Sequence, residues 1–467
     1  MRHAAAGHMP SRISVTLVVA AVLLSLVCAC GPEPAPPPPM DDAGARSDAA
    51  ALDAGGPEWD ASACTPGPAL PADSLAAQRA ACDFDTGATA AETLGIDDAT
   101  RLAIPLTHVI VVMQENRAFD HLLGRLSVTS QPDAESVPST WASLTADGTP
   151  VAPFALDSTC LEADPPHQWA AMQASWNGGA MDGFVREAAI GASDGHYVMG
   201  AYDETDMPYY YWRAGQFAIA DHYFGAALAG TWANRDYLYA GSSYGVKNTG
   251  ERALPDVPTI FDALDAQGVS WGVYTDGTPR MDCLGWDRTH VGVHLFAQFL
   301  RELSAGTLPR VTFVDPGAMQ DEHPPNDVQL GEAWSRRIDT AAFRSPLWPT
   351  LAIFHTYDEA GGLADHVPPP AACIAGPDQT EFDRLGVRVP LVVISAWARP
   401  HYVSHATYEH SSLLRFIEVL HGLPALTARD ANAAVPLDLF DFSACPPPSL
   451  ELALAPPPPS GTGGCTP

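Results

Sequence analysis

Five short apolar runs, at residues 109–113, 269–274, 311–314, 351–357 and 389–395, constrain the fold of this 467-residue chain more than any other feature. Each has the length of one strand, and the apolarity is continuous rather than alternating, as in a sheet covered on both faces. Helix-like stretches at 260–267, 291–303 and 411–421 separate or follow them. Strands alternating with helices predict an α/β fold, an α/β/α sandwich around a central, largely parallel sheet. In such sheets, functional groups collect outside the carboxyl ends of the strands. Gln114-Glu115-Asn116 follows the first run directly and Asp358-Glu359 follows the fourth. The pattern therefore predicts that these polar groups meet.

The flanks read differently. Arg2 and Arg12 precede an apolar stretch at 13–29, shorter than the roughly 20 residues a spanning helix needs. Residues 1–29 are expected to be a lipoprotein-type signal peptide, with the mature chain held to the membrane through a lipidated Cys30. That places it at the bacterial cell envelope, at the outer membrane; secretion is the alternative. Residues 30–82 read as a Pro/Ala/Asp-rich tether, 83–445 as one domain, and 446–467 as a Pro/Gly-rich tail. An exported chain can form disulfides among Cys64, Cys82, Cys160, Cys283, Cys373, Cys445 and Cys465. Cys64–Cys82 and Cys445–Cys465 close the shortest loops and are the simplest pairings. An odd number leaves at least one thiol free.

Composition removes several functions. Against 55 Asp and Glu stand 24 Lys and Arg, a net charge of −31, and Lys247 is the sole lysine. Nucleic acid is excluded as a partner, because phosphate-backbone binding needs basic excess. No HExxH, CxxC or P-loop pattern occurs. Gly241-Ser242-Ser243-Tyr244-Gly245 matches GxSxG, but turn-like sequence follows it, so it reads as a Gly/Ser loop rather than a nucleophile elbow. Tyr209-Tyr210-Tyr211-Trp212 reads as core packing rather than a cation cage.

The remaining motifs carry chemistry. Glu115 and Asn116 offer two oxygen ligands for a hard divalent cation, or else a polar cap on the next turn. Asp358 and Glu359 add two carboxylates that repel each other unless a cation or donors compensate. Gly361-Gly362 lets the backbone turn sharply beside them. Thr231 precedes a helix-like run, where it serves either as an N-cap or as a nucleophile facing the helix's anion-binding end. Asn234 lies one turn further and can hold a phosphoryl oxygen. His167 and His323 sit in Pro-flanked, acid-rich segments.

Taken together, the segments at 108–124, 164–184, 207–224, 230–241, 321–334, 356–370 and 388–418 resemble, in order, the bacterial phosphoesterase family. That family contains phosphatidylcholine-type phospholipases C and a group of acid phosphatases. The resemblance implies an alkaline-phosphatase-like fold and metal-assisted phosphoester hydrolysis. It implies Glu115, Asn116, Asp358 and Glu359 as ligands of one divalent metal ion, and Thr231 as the nucleophile forming a phosphothreonine. His167 and His323 are expected to contact phosphate or move protons, and Asn234 to assist. Threonine at 231 resembles the phospholipase C branch, whereas Ala360 departs from the polar residue that many members carry after the paired acids. The favoured expectation is cleavage of zwitterionic phospholipids. Phosphomonoester hydrolysis is the close alternative, and a non-catalytic binding lipoprotein is the alternative of another class.

Overall fold

The computed structural model describes residues 64–446 apart from Ala192 and Arg288, together with Ala455, Pro456 and Cys465. The expected signal peptide, Cys30, the tether up to residue 63 and most of the tail lie outside the described residues.

All five apolar runs are strands of one sheet. Its members are β1 (His108–Gln114), β2 (Ala218–Ala220), β3 (Trp271–Thr275), β4 (Val293–Leu295), β5 (Val311–Asp315), β6 (Leu351–Tyr357), β7 (Leu391–Ser395) and β8 (Tyr402–Ser404). Their order across the sheet is β8-β2-β7-β6-β1-β5-β3-β4. Only β7 runs against the rest, pairing antiparallel with β6 and β2. The helix expected over 291–303 is corrected at its start. Val293–Leu295 extends the sheet beside Val273–Thr275, and the helix begins at Phe296.

Seven helices matter for the site: α1 (Trp169–Trp176), α2 (Pro208–Gln216), α3 (Thr231–Ala240), α4 (Ile260–Ala266), α5 (Phe296–Ala305), α6 (Val328–Phe343) and α7 (His410–His421). Register shows why the strands are apolar on both sides. Phe313 and Phe354 both align with Val111 and so share a face. Phe313 meets Tyr239 of α3 and Phe261 of α4, with ring centroids 5.5 and 5.3 Å away, and Phe354 meets Phe416 of α7 at 4.9 Å. One residue on, His355 faces the other side and lies 2.6 Å from Asp339 of α6. Asp339 also accepts a hydrogen bond from Tyr209 of α2. Helices thus cover both faces, and each buried Phe contributes about 2–3 kcal/mol to that packing. Tyr209, Tyr210 and Tyr211 are buried, with Arg213 stacked 4.3 Å from the Tyr210 ring, so this aromatic run is core.

The GxSxG match follows helix α3, with Gly241 as its left-handed cap at φ +66°. No strand leads into it, and Ser243 is buried, so no nucleophile elbow forms.

The local disulfide pairings are overturned. Cys64 bonds Cys445, Cys82 bonds Cys373 and Cys160 bonds Cys465, with Cα separations of 6.0, 5.6 and 5.5 Å. Residues 64–82 are folded onto the domain, where Gly67 donates to the Phe442 carbonyl and the buried Arg79 donates to the Thr93 carbonyl. That docking carries Cys64 and Cys82 to distant partners rather than to each other. Cys283 is the free thiol among the described residues, and it is buried.

Helix α6 buries a second acid, Glu332, whose Oε1 accepts the Tyr210 amide at 2.9 Å while Oε2 has no partner. Burial pushes its pKa up to about 8 from the ordinary 4.5, against the Tyr210 and Tyr209 amides that lower it. The folded chain therefore takes up a proton between those values, and this group's contribution to stability falls as pH rises through that window. Glu332→Gln is expected to stabilise the protein at pH 8.5 by roughly 2–4 kcal/mol and to have little effect at pH 4. Urea unfolding at both pH values measures this; an equal effect at both contradicts it.

Candidate active site

The parallel strands β5, β1 and β6 end together, and the polar residues after them face one edge. Because Gln114 aligns with Tyr357, Glu115-Asn116 and Asp358-Glu359 emerge side by side. The Asp358 amide donates to the Gln114 carbonyl at 3.1 Å, and the Asn116 amide donates to Asp358 Oδ1 at 3.3 Å. Asn116 has φ +62°, a conformation asparagine tolerates better than most residues, and it turns the chain off the strand. Gly361, at φ +63°, sits where a Cβ would come 2.6 Å from the Asn116 carbonyl oxygen. Glycine here allows the loop after Glu359 to close over Asn116.

Helix α3 delivers Thr231 as its first residue, with Gly230 as the N-cap. Threonine is therefore not the cap. Its side chain is largely buried and makes no hydrogen bond to the described residues, and it sits at the end of the helix where free N–H groups favour an anion. Four residues on and on the same face, Arg235 is fully buried. Its guanidinium reaches Asp315 at 2.8 Å, Asp358 at 3.1 Å and Glu115 at 3.3 Å. Arg280 adds a contact at 2.7 Å to Glu115 and one at 3.0 Å to Asp321. Two arginines thus supply, as donors, part of the compensation that the sequence requires for these acids. Sequence reasoning missed both, although Arg235 stands at helical spacing from Thr231 in the same motif.

Asn234 is placed differently from expectation. Its Nδ2 donates to the Ala229 and Gly230 carbonyls at 2.9 and 3.2 Å, and its Oδ1 accepts the Ala227 amide at 3.0 Å. Both amide hydrogens serve the loop before Thr231, so Asn234 shapes that loop rather than offering a donor to a ligand.

The two histidines share one device. His167 Nδ1 donates to the Pro165 carbonyl, and His323 Nδ1 to the Pro324 carbonyl, each at 2.7 Å. Each bond occupies Nδ1 and leaves Nε2 free of the backbone. The rings meet edge to face at 5.6 Å, and His167 Nε2 lies 3.3 Å from Asn116 Nδ2 and 3.8 Å from Glu359 Oε1. Burial opposes charging His167, but Glu359, Asp164 and the Pro165 carbonyl outweigh it and raise its pKa. Burial likewise raises Glu359 and Glu115, with Asp358 adding to both. Ala360 is buried and adds no polar contact. Behind His323, Glu322 is buried, accepts from Tyr210, Tyr357 and Gln114, and is pushed up to about 7 by burial.

Two oxygens at this edge test whether a metal fits. Asn116 Oδ1 and Glu359 Oε1 are buried without a hydrogen-bond partner. Asp358 and Glu115 at the same strand ends also offer only oxygen, the donor type that suits a hard divalent cation, although Arg235 and Arg280 occupy part of both carboxylates. Among the described residues, the groups whose ligand atoms lie within 4.8 Å of one another are Asp164, His167 and His323, next to Glu359, and Asp120, Asp365 and His366.

The sequence model of the phosphoesterase family matches residues 106–424, which include every residue named above as a site candidate. Non-specific phospholipase C1 of Arabidopsis thaliana is 30% identical over 381 residues, covering 70% of this chain and 70% of its own. Phospholipase C A of Mycobacterium tuberculosis (strain ATCC 25618 / H37Rv) is 31% identical over 413 residues, covering 73% and 78%. A crystal structure of a protein in the alkaline phosphatase superfamily from Vibrio parahaemolyticus aligns over 71% of this chain and 70% of its own, at 11% identity and a TM-score of 0.35.

Proposed function

Since the chain belongs to the phosphoesterase family and is a hydrolase of phosphoester bonds, we propose that it cleaves the phosphodiester of zwitterionic phospholipids as a phospholipase C, through Thr231. The observation that carries this reading is the pair of buried oxygens of Asn116 and Glu359 at the strand ends that accept no hydrogen bond. Glu115, Asn116, Asp358 and Glu359 are the residues to hold one divalent cation. When bound, such an ion supplies the positive charge that an anionic phosphoester needs in an acidic protein and eases loss of the threonine proton.

The chain's own groups then divide the work. Thr231 Oγ1 gives up its proton to solvent and forms a bond to phosphorus as the bond to the diacylglycerol oxygen breaks. A proton from Nε2 of His323 or His167 goes to that leaving oxygen, help typically worth about 100- to 10,000-fold. Water then attacks the phosphothreonine, the same histidine nitrogen takes its proton, and phosphocholine departs as Thr231 Oγ1 regains a proton from solvent. Asn234 and Arg235 hold the Thr231 loop and the carboxylates in place. Three disulfides among the described residues support an exported protein, which fits envelope attachment through Cys30.

Matched assays with phosphatidylcholine and p-nitrophenyl phosphate test the substrate class. Phosphocholine release is expected to dominate, to be lost on chelation and to return with an added divalent ion. Free phosphate from the monoester as the main product would instead favour a phosphomonoesterase.

A further inference from the structure

Lys247, the only lysine in the chain, sits in a loop that touches residues next to both members of the proposed catalytic pair, Gly230 before Thr231 and Gln168-Trp169 after His167. Its carbonyl accepts the amide of Gly230, the N-cap immediately before Thr231, at 3.3 Å. Its ammonium lies 4.7 Å from the centre of the Trp169 ring, two residues beyond His167, and 2.8 Å from Glu381. Its neighbours repeat the pattern. Asn248 Oδ1 accepts the Trp169 amide at 3.1 Å, and the Thr249 amide donates to Gln168 Oε1 at 3.2 Å. That Gln168 oxygen and Thr249 Oγ1 lie 2.8 and 3.3 Å from where a Gly230 Cβ would stand, so the three segments are in close contact. The Glu251 carboxylate shapes the loop by accepting the Lys247 and Asn248 amides at 2.8 and 3.0 Å. Trp169 in turn packs against Phe382 with ring centroids 5.0 Å apart and planes tilted by 60°, and Phe382 lies 6.4 Å from Tyr237 of α3.

We propose that Lys247 is a positioning residue that fixes the His167 segment against the start of the Thr231 helix, by clamping Trp169 between its ammonium and the Glu381–Phe382 turn. The proposal rests on the reading that Thr231 and His167 act on one substrate. The ammonium is partly solvated, so its ion pair and ring contact contribute little to global stability. Its effect is on geometry, where a misplacement of about 1 Å can cost on the order of 100-fold in rate.

The test uses the full exported chain, its Lys247→Met and Lys247→Arg variants, and p-nitrophenylphosphorylcholine as the probe. Lys247→Met is expected to lower kcat roughly 10-fold with KM changed less than about 2-fold and the thermal midpoint unmoved. Lys247→Arg is expected to restore kcat, because a guanidinium both stacks on indole and pairs with a carboxylate. On a Trp169→Leu background, Lys247→Met should add no further loss. Amide hydrogen exchange gives a readout that does not depend on turnover. In Lys247→Met, exchange should rise in peptides covering 165–170 and 228–232 and nowhere else. Unchanged kcat in an active enzyme overturns the proposal, and so does unchanged exchange in those two peptides. An inert wild-type protein whose exchange responds as stated would defeat the catalytic reading and leave the clamp standing.

Discussion

Thr231→Ala is expected to reduce turnover by at least about 10,000-fold, the scale at which losing a nucleophile is felt. The same change is expected to alter unfolding free energy by less than about 1 kcal/mol. The contrast follows from the structure of α3. Thr231 is the first helical residue and Gly230 is the cap, so its hydroxyl caps nothing and makes no hydrogen bond to the described residues. Alanine suits the first helical turn, and nothing buried is left unpaired. A side chain without structural bonds at the amino end of a helix has its expected consequence in chemistry. Phosphocholine release and chemical unfolding of the same preparation measure both effects. A variant that keeps more than about one tenth of wild-type turnover contradicts the assignment.

Arg235→Ala is expected to have the largest effect on stability, roughly 3–5 kcal/mol, the usual result of removing one partner from a buried ion cluster. The guanidinium is inaccessible to solvent and serves Asp315, Asp358 and Glu115 at once, with a further bond to the Met113 carbonyl at 3.3 Å. Without it, carboxylates from the ends of three neighbouring strands face each other, with the Arg280 guanidinium left to pair with Glu115 and Asp321 and its amide to bond Asp315. Arg235→Lys should recover only part of the loss, since an ammonium cannot reproduce a planar fork directed at three acceptors. The expected ordering in urea unfolding is wild type, then Lys, then Ala. If Ala is as stable as wild type, the carboxylates do not depend on Arg235 and the electrostatic account of the site fails.

The legible parts of the fold were those with strong local signals. Strands β1, β5 and β6 could be read because continuous apolar runs of four to seven residues need a sheet covered on both faces, and the neighbours Phe313, Phe354 and His355 show that covering. Strands β2, β4 and β8 have three residues each, too few for periodicity to register; β4 was hidden inside an expected helix. Of the site, the meeting of Glu115-Asn116 with Asp358-Glu359 was legible because each pair directly follows a readable strand. Arg235 was not, because its acidic partners lie 80, 120 and 123 residues away in sequence. The disulfides failed for the same reason. Proximity along the chain suggested Cys64–Cys82, whereas the bonds span 381, 291 and 305 residues. Asn234 was placed at the right spacing but in the wrong role, since spacing does not reveal that loop carbonyls take up both of its amide hydrogens.

The central claim is that the phosphoryl group passes through Thr231. A brief pulse of phosphoester substrate, quenched in acid and followed by digestion and mass spectrometry, tests it most directly. The account predicts a phosphoryl adduct on the peptide containing Thr231 in the wild-type protein and none in Thr231→Ala. Steady turnover with no adduct at Thr231, or with the phosphoryl group on His167 or His323 instead, would contradict it.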